Sequence, residues 1–327
     1  MLLLWDASNL CCGPHGTVFW VGPESQAPAE LGDDNVDRVA AVLLSLDPDG
    51  GRVASVMRST YDQVYDGRRT GRFRWSELAK VEKTYFGSLV EINLQREFAF
   101  DDGVHLDFSI DGVEVDCKWS QRDGGWMIPP EAIGRICMLV HADDETSEWK
   151  LGLVTVGESQ LRAGANRDAK RTLSAEGRQT IRWIWESRFA ENVLLRMTPD
   201  VERGVLAPKS GTERLNALFR AFLGEVISRN VIETVARQHD ALKRLRYNGG
   251  SRSALQPEGI VILGGSSRVH RNLAVELGAN VPGPSEFVAV RLVPSWEGVT
   301  IDDRRWRIAR PHDPVGPAPT LPNRERA

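Results

Sequence analysis

The stretch Leu106-Asp-Phe-Ser-Ile-Asp-Gly-Val-Glu-Val-Asp-Cys-Lys-Trp119 contains two alternating segments on either side of Asp111-Gly112. Apolar and polar residues alternate with a period of two, which is typical of two strands joined by a tight type I′ turn. In this register the apolar side chains share one face of the hairpin and the polar side chains share the other. The stretch therefore predicts a half-buried β-hairpin whose polar face carries several charges.

Two aspartates face each other across this predicted hairpin. Asp107 and Asp116 form a non-hydrogen-bonded pair, in which the Cα atoms are about 4.5 Å apart. Carboxylates about 5 Å apart repel each other by roughly 3 kcal/mol at an effective dielectric constant of 20. We therefore expect a divalent cation with oxygen ligands to compensate. Lys118 projects from the same face, and Glu91 on the preceding helix offers a further carboxylate.

These residue types are suited to metal-assisted hydrolysis of a phosphodiester, in which a cation neutralises charge and an ammonium positions the attacking water. An acid-x-Lys triplet alone is weak evidence, because it also occurs at Glu148–Lys150 and Asp168–Lys170. Only Asp116–Lys118 lies on a predicted strand with a second acid opposite. The alternative is a solvated hairpin edge with screened charges.

Periodicity outside the hairpin predicts helices before it and both types of element after it. The predicted helices cover residues 34–46, 53–65, 75–98, 174–185, 213–226, 231–237 and 240–246, and further strands cover 135–141, 149–156, 258–263 and 287–293. On the 75–98 helix we expect a core-facing stripe made of Leu78, Val81, Tyr85, Leu89, Ile92 and Phe98.

Length and composition indicate two domains. The 327 residues are 41% hydrophobic and 26% charged, which is typical of globular proteins. We expect a disordered leader at 1–33, domains at 34–187 and 188–310, and an extended or disordered Pro-rich tail at 311–327. The cysteines at 11, 12, 117 and 137 form no CxxC motif, and no membrane or signal segment is evident, which predicts a cytoplasmic protein with no membrane partner.

One basic window stands out in a chain whose net charge is −4. Residues 214–252 contain eight basic side chains and three acidic ones. The short helices predicted there have the lengths of a helix-turn-helix, and its candidate DNA contacts are Arg237, Lys243, Arg244, Arg246 and Arg252. The alternative is a solvated helical face, since most charged runs have that role.

The segment Val64-Tyr-Asp-Gly-Arg-Arg69 resembles the Lys-x-Asp-Gly-x-Arg signature of DNA ligases, with valine in place of the lysine. Covalent adenylation requires an amine nucleophile, which valine cannot supply. Ligase activity is therefore disfavoured, and the alternative is a helix that ends at Asp-Gly.

Several segments taken together resemble the NaeI-type type II restriction endonuclease family. They are Ser45–Gly50, Tyr65–Gly71, Glu82–Thr84, Leu89–Leu94, Val115–Lys118, Pro129–Glu131, Asn166–Asp168 and Arg252–Leu263, within a similarity that runs from about residue 34 to residue 310. The family shares the ligase-like segment. Leu106 stands where the family has a proline.

The resemblance implies an α/β fold: a restriction-endonuclease-like mixed sheet flanked by helices, followed by a mainly helical winged helix-turn-helix domain. The family's catalytic acids and lysine fall on Glu91, Asp107, Asp116 and Lys118. Mg²⁺ would be held by Asp107, Asp116, Glu91 and the Cys117 carbonyl, and Lys118 would orient or activate the water.

The function implied is that of a homodimeric, Mg²⁺-dependent type II restriction endonuclease that cuts double-stranded DNA at a GC-rich palindrome. The second domain would bind another DNA copy as an effector, and a cognate cytosine methyltransferase would be the functional partner. A two-fold dimer follows from the palindrome, because symmetry must place one active site on each strand. The alternatives are a non-catalytic winged-helix regulator and a nicking or repair nuclease without sequence preference.

Overall fold

The first half of the described chain forms a single sheet with helices packed on it. The computed structural model describes residues 33–238 and 240–321. The helices are α1 (Asp33–Leu46), α2 (Gly51–Tyr65), α3 (Gly67–Thr70), α4 (Lys80–Phe98) and α5 (Ala175–Gln179). The strands are β1 (Asp101–Asp102), β2 (Phe108–Ile110), β3 (Val113–Ser120), β4 (Ile136–Asp143), β5 (Glu148–Thr155) and β6 (Arg182–Arg188).

The six strands lie in sequence order across the sheet. Only β3 and β4 are parallel, and the other neighbours are antiparallel. The first five residues of β4 are all buried, as expected for a strand that is covered on both faces. The predicted mixed sheet flanked by helices is therefore confirmed.

The two faces of the sheet belong to different hydrophobic clusters. Side chains of α1, α2 and α4 pack against alternate residues of the hairpin and of β4 and β5, with Tyr61 and Phe86 fully buried among them. On the opposite face, Trp126 and Ile128 from a loop cover Cys137 and Leu139 of β4. A period-two strand serves both clusters because its successive side chains point to opposite faces.

The face of helix α4 that packs against the core differs from the predicted face. Leu78 precedes the helix, which begins at Lys80 after a 3₁₀ turn at Trp75–Glu77. Of the predicted stripe, Leu89 and Phe98 are buried, but Val81, Tyr85 and Ile92 are exposed, by 75%, 52% and 39%. The buried face is instead made of Phe86, Leu89, Val90, Leu94 and Phe98. Its large side chains, above all Phe86 between aromatic rings of α2 and β3, set the rotation of the helix.

Three predicted helices are wrong in part. The 174–185 segment is helical only over α5 and then becomes β6, which pairs with β5 from Leu153 to Glu148. The 213–226 helix ends at Ala221, and Val226 begins a strand. Residues 241–245 form a 3₁₀ helix. In the first two, pairing with a distant strand overrides the local pattern.

The second half of the described chain combines short helices with a four-stranded sheet. Its helices are α6 (Pro199–Leu206), α7 (Gly211–Ala221), α8 (Arg229–Ala236), α9 (Ser251–Leu255) and α10 (Arg268–Leu277), and its strands are β7 (Val226–Ser228), β8 (Ile260–Gly264), β9 (Glu286–Ile301) and β10 (Arg304–Ile308). The long strand β9 pairs antiparallel with each of the other three. None of the helices in the two described ranges is long and apolar enough to cross a membrane.

The proline-rich segment after residue 310 packs on the second half of the described chain. Ala318 and Leu321 are buried, and the Ala318 N–H donates to the Gln256 carbonyl at 2.8 Å. The Leu321 N–H donates to the Tyr247 hydroxyl at 3.2 Å. The segment up to residue 321 is thus packed at these points, without a helix or strand. Residues 1–32, with cysteines 11 and 12, and residues 322–327 lie outside the described residues.

The two halves meet at α3 and the residues that follow it. Gly67 packs so closely on α8 that a Cβ atom at this position would lie 2.1 Å from the Thr234 Oγ1. Phe73 inserts into the hydrophobic cluster of the second half, and the Asn192 amide donates to its carbonyl at 3.1 Å. This contact region is called the α3–α8 joint below.

Candidate active site

The hairpin that leads into the sheet has the predicted register. Phe108 pairs with Val115 and Ile110 with Val113. Asp111 and Gly112 have φ angles of 50° and 73°, as a type I′ turn requires. The apolar residues of the hairpin are buried on the helix side of the sheet, so the acids and Lys118 share the other face, as predicted.

Asp107 lies one residue before β2 and binds β3 through its side chain. Its Oδ2 accepts the Cys117 N–H at 2.7 Å and lies 3.4 Å from the Lys118 Nζ. The predicted backbone pair of Asp107 with Asp116 is therefore replaced by a side-chain contact, because β2 begins only at Phe108. Both carboxylates nevertheless contact the same group, the Lys118 Nζ.

Lys118 lies between the two aspartates. Its Nζ donates to the Asp116 Oδ1 at 2.6 Å and to the Cys117 carbonyl at 2.9 Å, in addition to its contact with Asp107. The Lys118 ammonium within the chain therefore already compensates part of the charge of the acid pair, for which the sequence predicts a divalent cation. Burial alone lowers the pKa of Lys118, but the adjacent carboxylates of Asp116 and Asp107 outweigh it and raise that pKa.

Asp116 is the most buried member of the group, with 5% of its side chain exposed. Burial raises the pKa of Asp116, the Lys118 ammonium opposes this shift, and the charge of Asp107 adds to it. The second oxygen, Oδ2, lies 3.6 Å from the Cys137 Sγ, whose thiol donates to it. Both oxygens of the carboxylate are thus held, one by an ammonium and one by a thiol.

Glu91 lies half-buried on α4 and interacts with this group through its charge. Burial raises the pKa of Glu91, and the negative charges of Asp107 and Asp116 raise it further. Within the described residues Glu91 forms no hydrogen bond or ion pair. Its carboxylate is therefore free of protein partners beside the acidic pair.

The oxygen atoms gathered here suit a hard divalent cation. Carboxylate oxygens of Asp107 and Asp116 and the Cys117 carbonyl surround one positive charge, the Lys118 Nζ. Such oxygen ligands are those that Mg²⁺ prefers. In the described part of the chain no three histidine, cysteine or acidic side chains come together as one metal cluster. The oxygen donors brought together here are thus two carboxylates and a main-chain carbonyl, and Glu91 does not join them as a third clustered acid.

The five basic residues predicted to bind DNA lie in different surroundings. Arg237, Lys243, Arg244 and Arg246 are exposed. Arg252 is half-buried, and its guanidinium donates to the carbonyls of Leu245 and Ile262 at 3.0 and 3.2 Å. Four of the five are thus available at the surface, whereas Arg252 holds two parts of the chain together.

The ligase-like segment is the end of α2 and the start of the α3–α8 joint. Helix α2 ends at Tyr65, and Asp66 adopts the left-handed conformation with φ 45°. Val64 is buried in the core, and the Tyr65 hydroxyl donates to the buried Asp144 at 2.8 Å. The interpretation of this segment as a helix that ends at Asp-Gly is confirmed.

Sequence reasoning did not identify Cys137 as part of the site. Its contact with Asp116 arises because β3 and β4 are parallel and in a register that places the two residues side by side. No local pattern marks this pairing, since 20 residues separate the two positions in the chain.

Two comparisons identify what the chain resembles. A family model described as restriction endonuclease NaeI matches residues 37–317. The type II restriction enzyme NaeI of Lentzea aerocolonigenes is 47% identical over 305 residues, which cover 89% of this chain and 96% of that protein.

Proposed function

The chain belongs to the restriction endonuclease NaeI family, and from this membership we propose that it is a type II restriction enzyme, a deoxyribonuclease that cuts double-stranded DNA at a specific site. One observation links this function to particular residues: the Lys118 ammonium is surrounded by Asp107, Asp116 and the Cys117 carbonyl. A lysine beside two carboxylates supplies both charge stabilisation and hydrogen-bond donation to a phosphodiester.

The proposed reaction depends on Mg²⁺, which Asp107, Asp116 and the Cys117 carbonyl would hold directly, with Glu91 reaching it through water. When bound, the ion neutralises negative charge on the phosphate and acidifies water. In the protein without metal, the adjacent carboxylates raise the pKa of Lys118, which favours its protonated form. Lys118 would orient or activate the water beside the scissile phosphate.

The proposed second DNA site lies in the C-terminal half. The order α7, β7, α8, the 241–255 segment (a 3₁₀ helix at 241–245 followed by α9), β8 and β9, with β9 paired to both β7 and β8, supports a winged helix. In that arrangement the 241–255 segment takes the position of the recognition helix. The exposed Lys243, Arg244 and Arg246 lie on it and carry the charge that phosphate contacts need.

The remaining parts of the proposal come from the family resemblance, except the two-fold dimer, which follows from symmetric cleavage of both strands. We propose a GC-rich palindrome as the target, a two-fold homodimer that places one Lys118 site on each strand, and stimulation by the second DNA copy. A cytosine methyltransferase that protects the same palindrome is the proposed functional partner, and the cytoplasm is the proposed compartment.

The decisive experiment compares wild type with Asp116→Asn on plasmid DNA in Mg²⁺. The substitution keeps the shape of the side chain but removes the charge that holds Lys118, so we expect cleavage to fall at least about 100-fold. Affinity for DNA measured in Ca²⁺ should stay within about twofold. Asp111→Asn is the matched control, because Asp111 is exposed on the same hairpin and is bonded to Arg38 instead.

Three results would contradict the proposal. Cleavage by Asp116→Asn at the wild-type rate would place the chemistry elsewhere. A wild-type protein that binds DNA without cutting it in Mg²⁺ would favour the regulator, and a random fragment ladder would favour a nuclease without sequence preference. Sequencing the ends of digested genomic DNA distinguishes the last case from cutting at one palindrome.

A further inference from the structure

Glu114 lies next to the candidate active site and has a specific set of contacts there. It occupies the polar face of β3, two residues before Asp116, and pairs with Ser109. One of its oxygens, Oε1, accepts the main-chain N–H groups of both Val104 and His105, the latter at 3.1 Å. These two residues belong to the loop of residues 103–107 that joins β1 to β2 and ends with Asp107.

The 103–107 loop is compact, and among the described residues its side-chain anchors on β3 are few. A Cβ atom on Gly103 would lie 2.2 Å from the Leu106 carbonyl oxygen, so the loop folds tightly on itself. Val104 and His105 are exposed to solvent. Since β1 has only two residues at the edge of the sheet, the loop is held on β3 through two carboxylates, that of Asp107, which accepts the Cys117 N–H, and that of Glu114, which accepts the N–H groups of Val104 and His105.

We propose that Glu114 is a positioning residue for the reaction: by clamping the 103–107 loop, it places the Asp107 carboxylate against Lys118 and the Cys117 N–H. This inference rests on the proposed function for its kinetic consequence. Glu114 touches neither the Lys118 Nζ nor the carboxylate of Asp107, so it acts through the loop backbone. Its second oxygen, Oε2, is buried without a hydrogen-bond partner among the described residues, so the clamp uses one oxygen only.

The test compares Glu114→Ala, Glu114→Gln and the control Ser109→Ala. Glutamine keeps an acceptor oxygen at the same reach, whereas alanine leaves both loop N–H groups without a partner. Ser109 is opposite Glu114 and forms no side-chain hydrogen bond among the described residues. Single-turnover cleavage is measured over a range of Mg²⁺ concentrations, together with DNA affinity in Ca²⁺ and the thermal unfolding midpoint.

We expect Glu114→Ala to cleave at least about tenfold more slowly and to need more Mg²⁺ for half-maximal rate, because a displaced Asp107 is a poorer ligand. Its DNA affinity and unfolding midpoint should stay near those of wild type. Glu114→Gln should recover to within about threefold of the wild-type rate, and Ser109→Ala should match wild type. A Glu114→Ala variant with the wild-type rate and Mg²⁺ dependence would overturn the proposal, as would a Glu114→Gln variant as slow as Glu114→Ala.

Amide hydrogen exchange on the protein without metal or DNA provides a second measurement that does not depend on activity. We expect peptides covering residues 103–107, and the amide of Cys117, to exchange faster in Glu114→Ala than in wild type or Glu114→Gln. Unchanged exchange would show that Glu114 does not clamp the loop. If the wild-type protein cuts no DNA, the proposed function fails, and the exchange measurement still decides whether the clamp exists.

Discussion

Two arginines six residues apart show how far the surroundings of a side chain determine its role. Arg246 is exposed to solvent. Arg252 is half-buried over the Tyr247 ring, and its guanidinium bonds two main-chain carbonyls. Burial lowers the pKa of Arg252. Arg246 is therefore a candidate for DNA contact, whereas Arg252 stabilises the fold.

Alanine substitutions should separate these two roles. Arg244→Ala and Arg246→Ala should each weaken DNA binding and reduce the slope of log affinity against log salt by about 1, because each removes one phosphate contact. Arg252→Ala should instead lower the free energy of unfolding by about 1–3 kcal/mol, because it leaves buried carbonyls without donors.

DNA titrations over a range of salt concentrations and denaturant unfolding measure the two effects. Arg203→Ala, in an exposed pair with Asp200 outside the basic window, is the control for charge removal. If Arg252→Ala left the free energy of unfolding unchanged and reduced the slope of log affinity against log salt, Arg252 would be a DNA contact and not a structural residue. Unchanged DNA binding by both Arg244→Ala and Arg246→Ala would contradict the proposal that the 241–255 segment binds DNA.

Among the secondary-structure elements, the β2–β3 hairpin is the one whose structure depends most clearly on local sequence. Its turn needs positive φ at both central residues, which Asp111 and Gly112 adopt. Aspartate tolerates this conformation better than most residues, and glycine adopts it without strain. The turn sets the register, and the register in turn brings Asp116 and Lys118 to the face that Asp107 reaches.

Gly112→Ala tests this rule by its backbone strain alone. A Cβ atom at Gly112 would meet nothing within 4 Å, so there is no steric clash to add to the cost. We expect unfolding free energy to fall by about 1 kcal/mol, measured with denaturant. Gly87→Ala is the matched control, since Gly87 lies in α4 with equally open space. That variant should be stabilised by up to about 1 kcal/mol. Equal effects of the two substitutions would argue against a type I′ turn.

At the scale of the whole molecule, the ligase-like segment has a structural role as part of the α3–α8 joint. Gly67 admits the close approach of Thr234, and Arg74 forms an ion pair with Glu202 at 2.6 Å beside it. Gly67 and Arg74 come from one segment, whereas Thr234 and Glu202 come from two distant places in the second half. The sequence motif therefore marks the place where the two halves are held together.

Gly67→Ala should loosen this joint. The added Cβ would lie 2.1 Å from the Thr234 Oγ1, so we expect a loss of about 1–3 kcal/mol in unfolding free energy and unfolding of the two halves in separate steps. Calorimetry and limited proteolysis between the halves measure this change.

The pair Gly67→Ala with Thr234→Ala should recover part of the loss, because the alanine removes the two nearest atoms. Gly204→Ala, a helical glycine with open space around it, is the control. A Gly67→Ala protein that unfolds in one step at the wild-type midpoint would show that the joint tolerates the extra atom.

The sequence by itself determined the hairpin, its register and its polar face, because alternation and an Asp-Gly turn act over a few residues through backbone stereochemistry. It also placed three of the candidate site residues together, since Asp107, Asp116 and Lys118 lie within twelve positions of one another. Only the tertiary structure decided the rotation of α4, the strand β6, the burial of Arg252 and the contact of Cys137 with Asp116. These features depend on packing between residues that are far apart in the sequence. Local periodicity contains no information about such distant contacts.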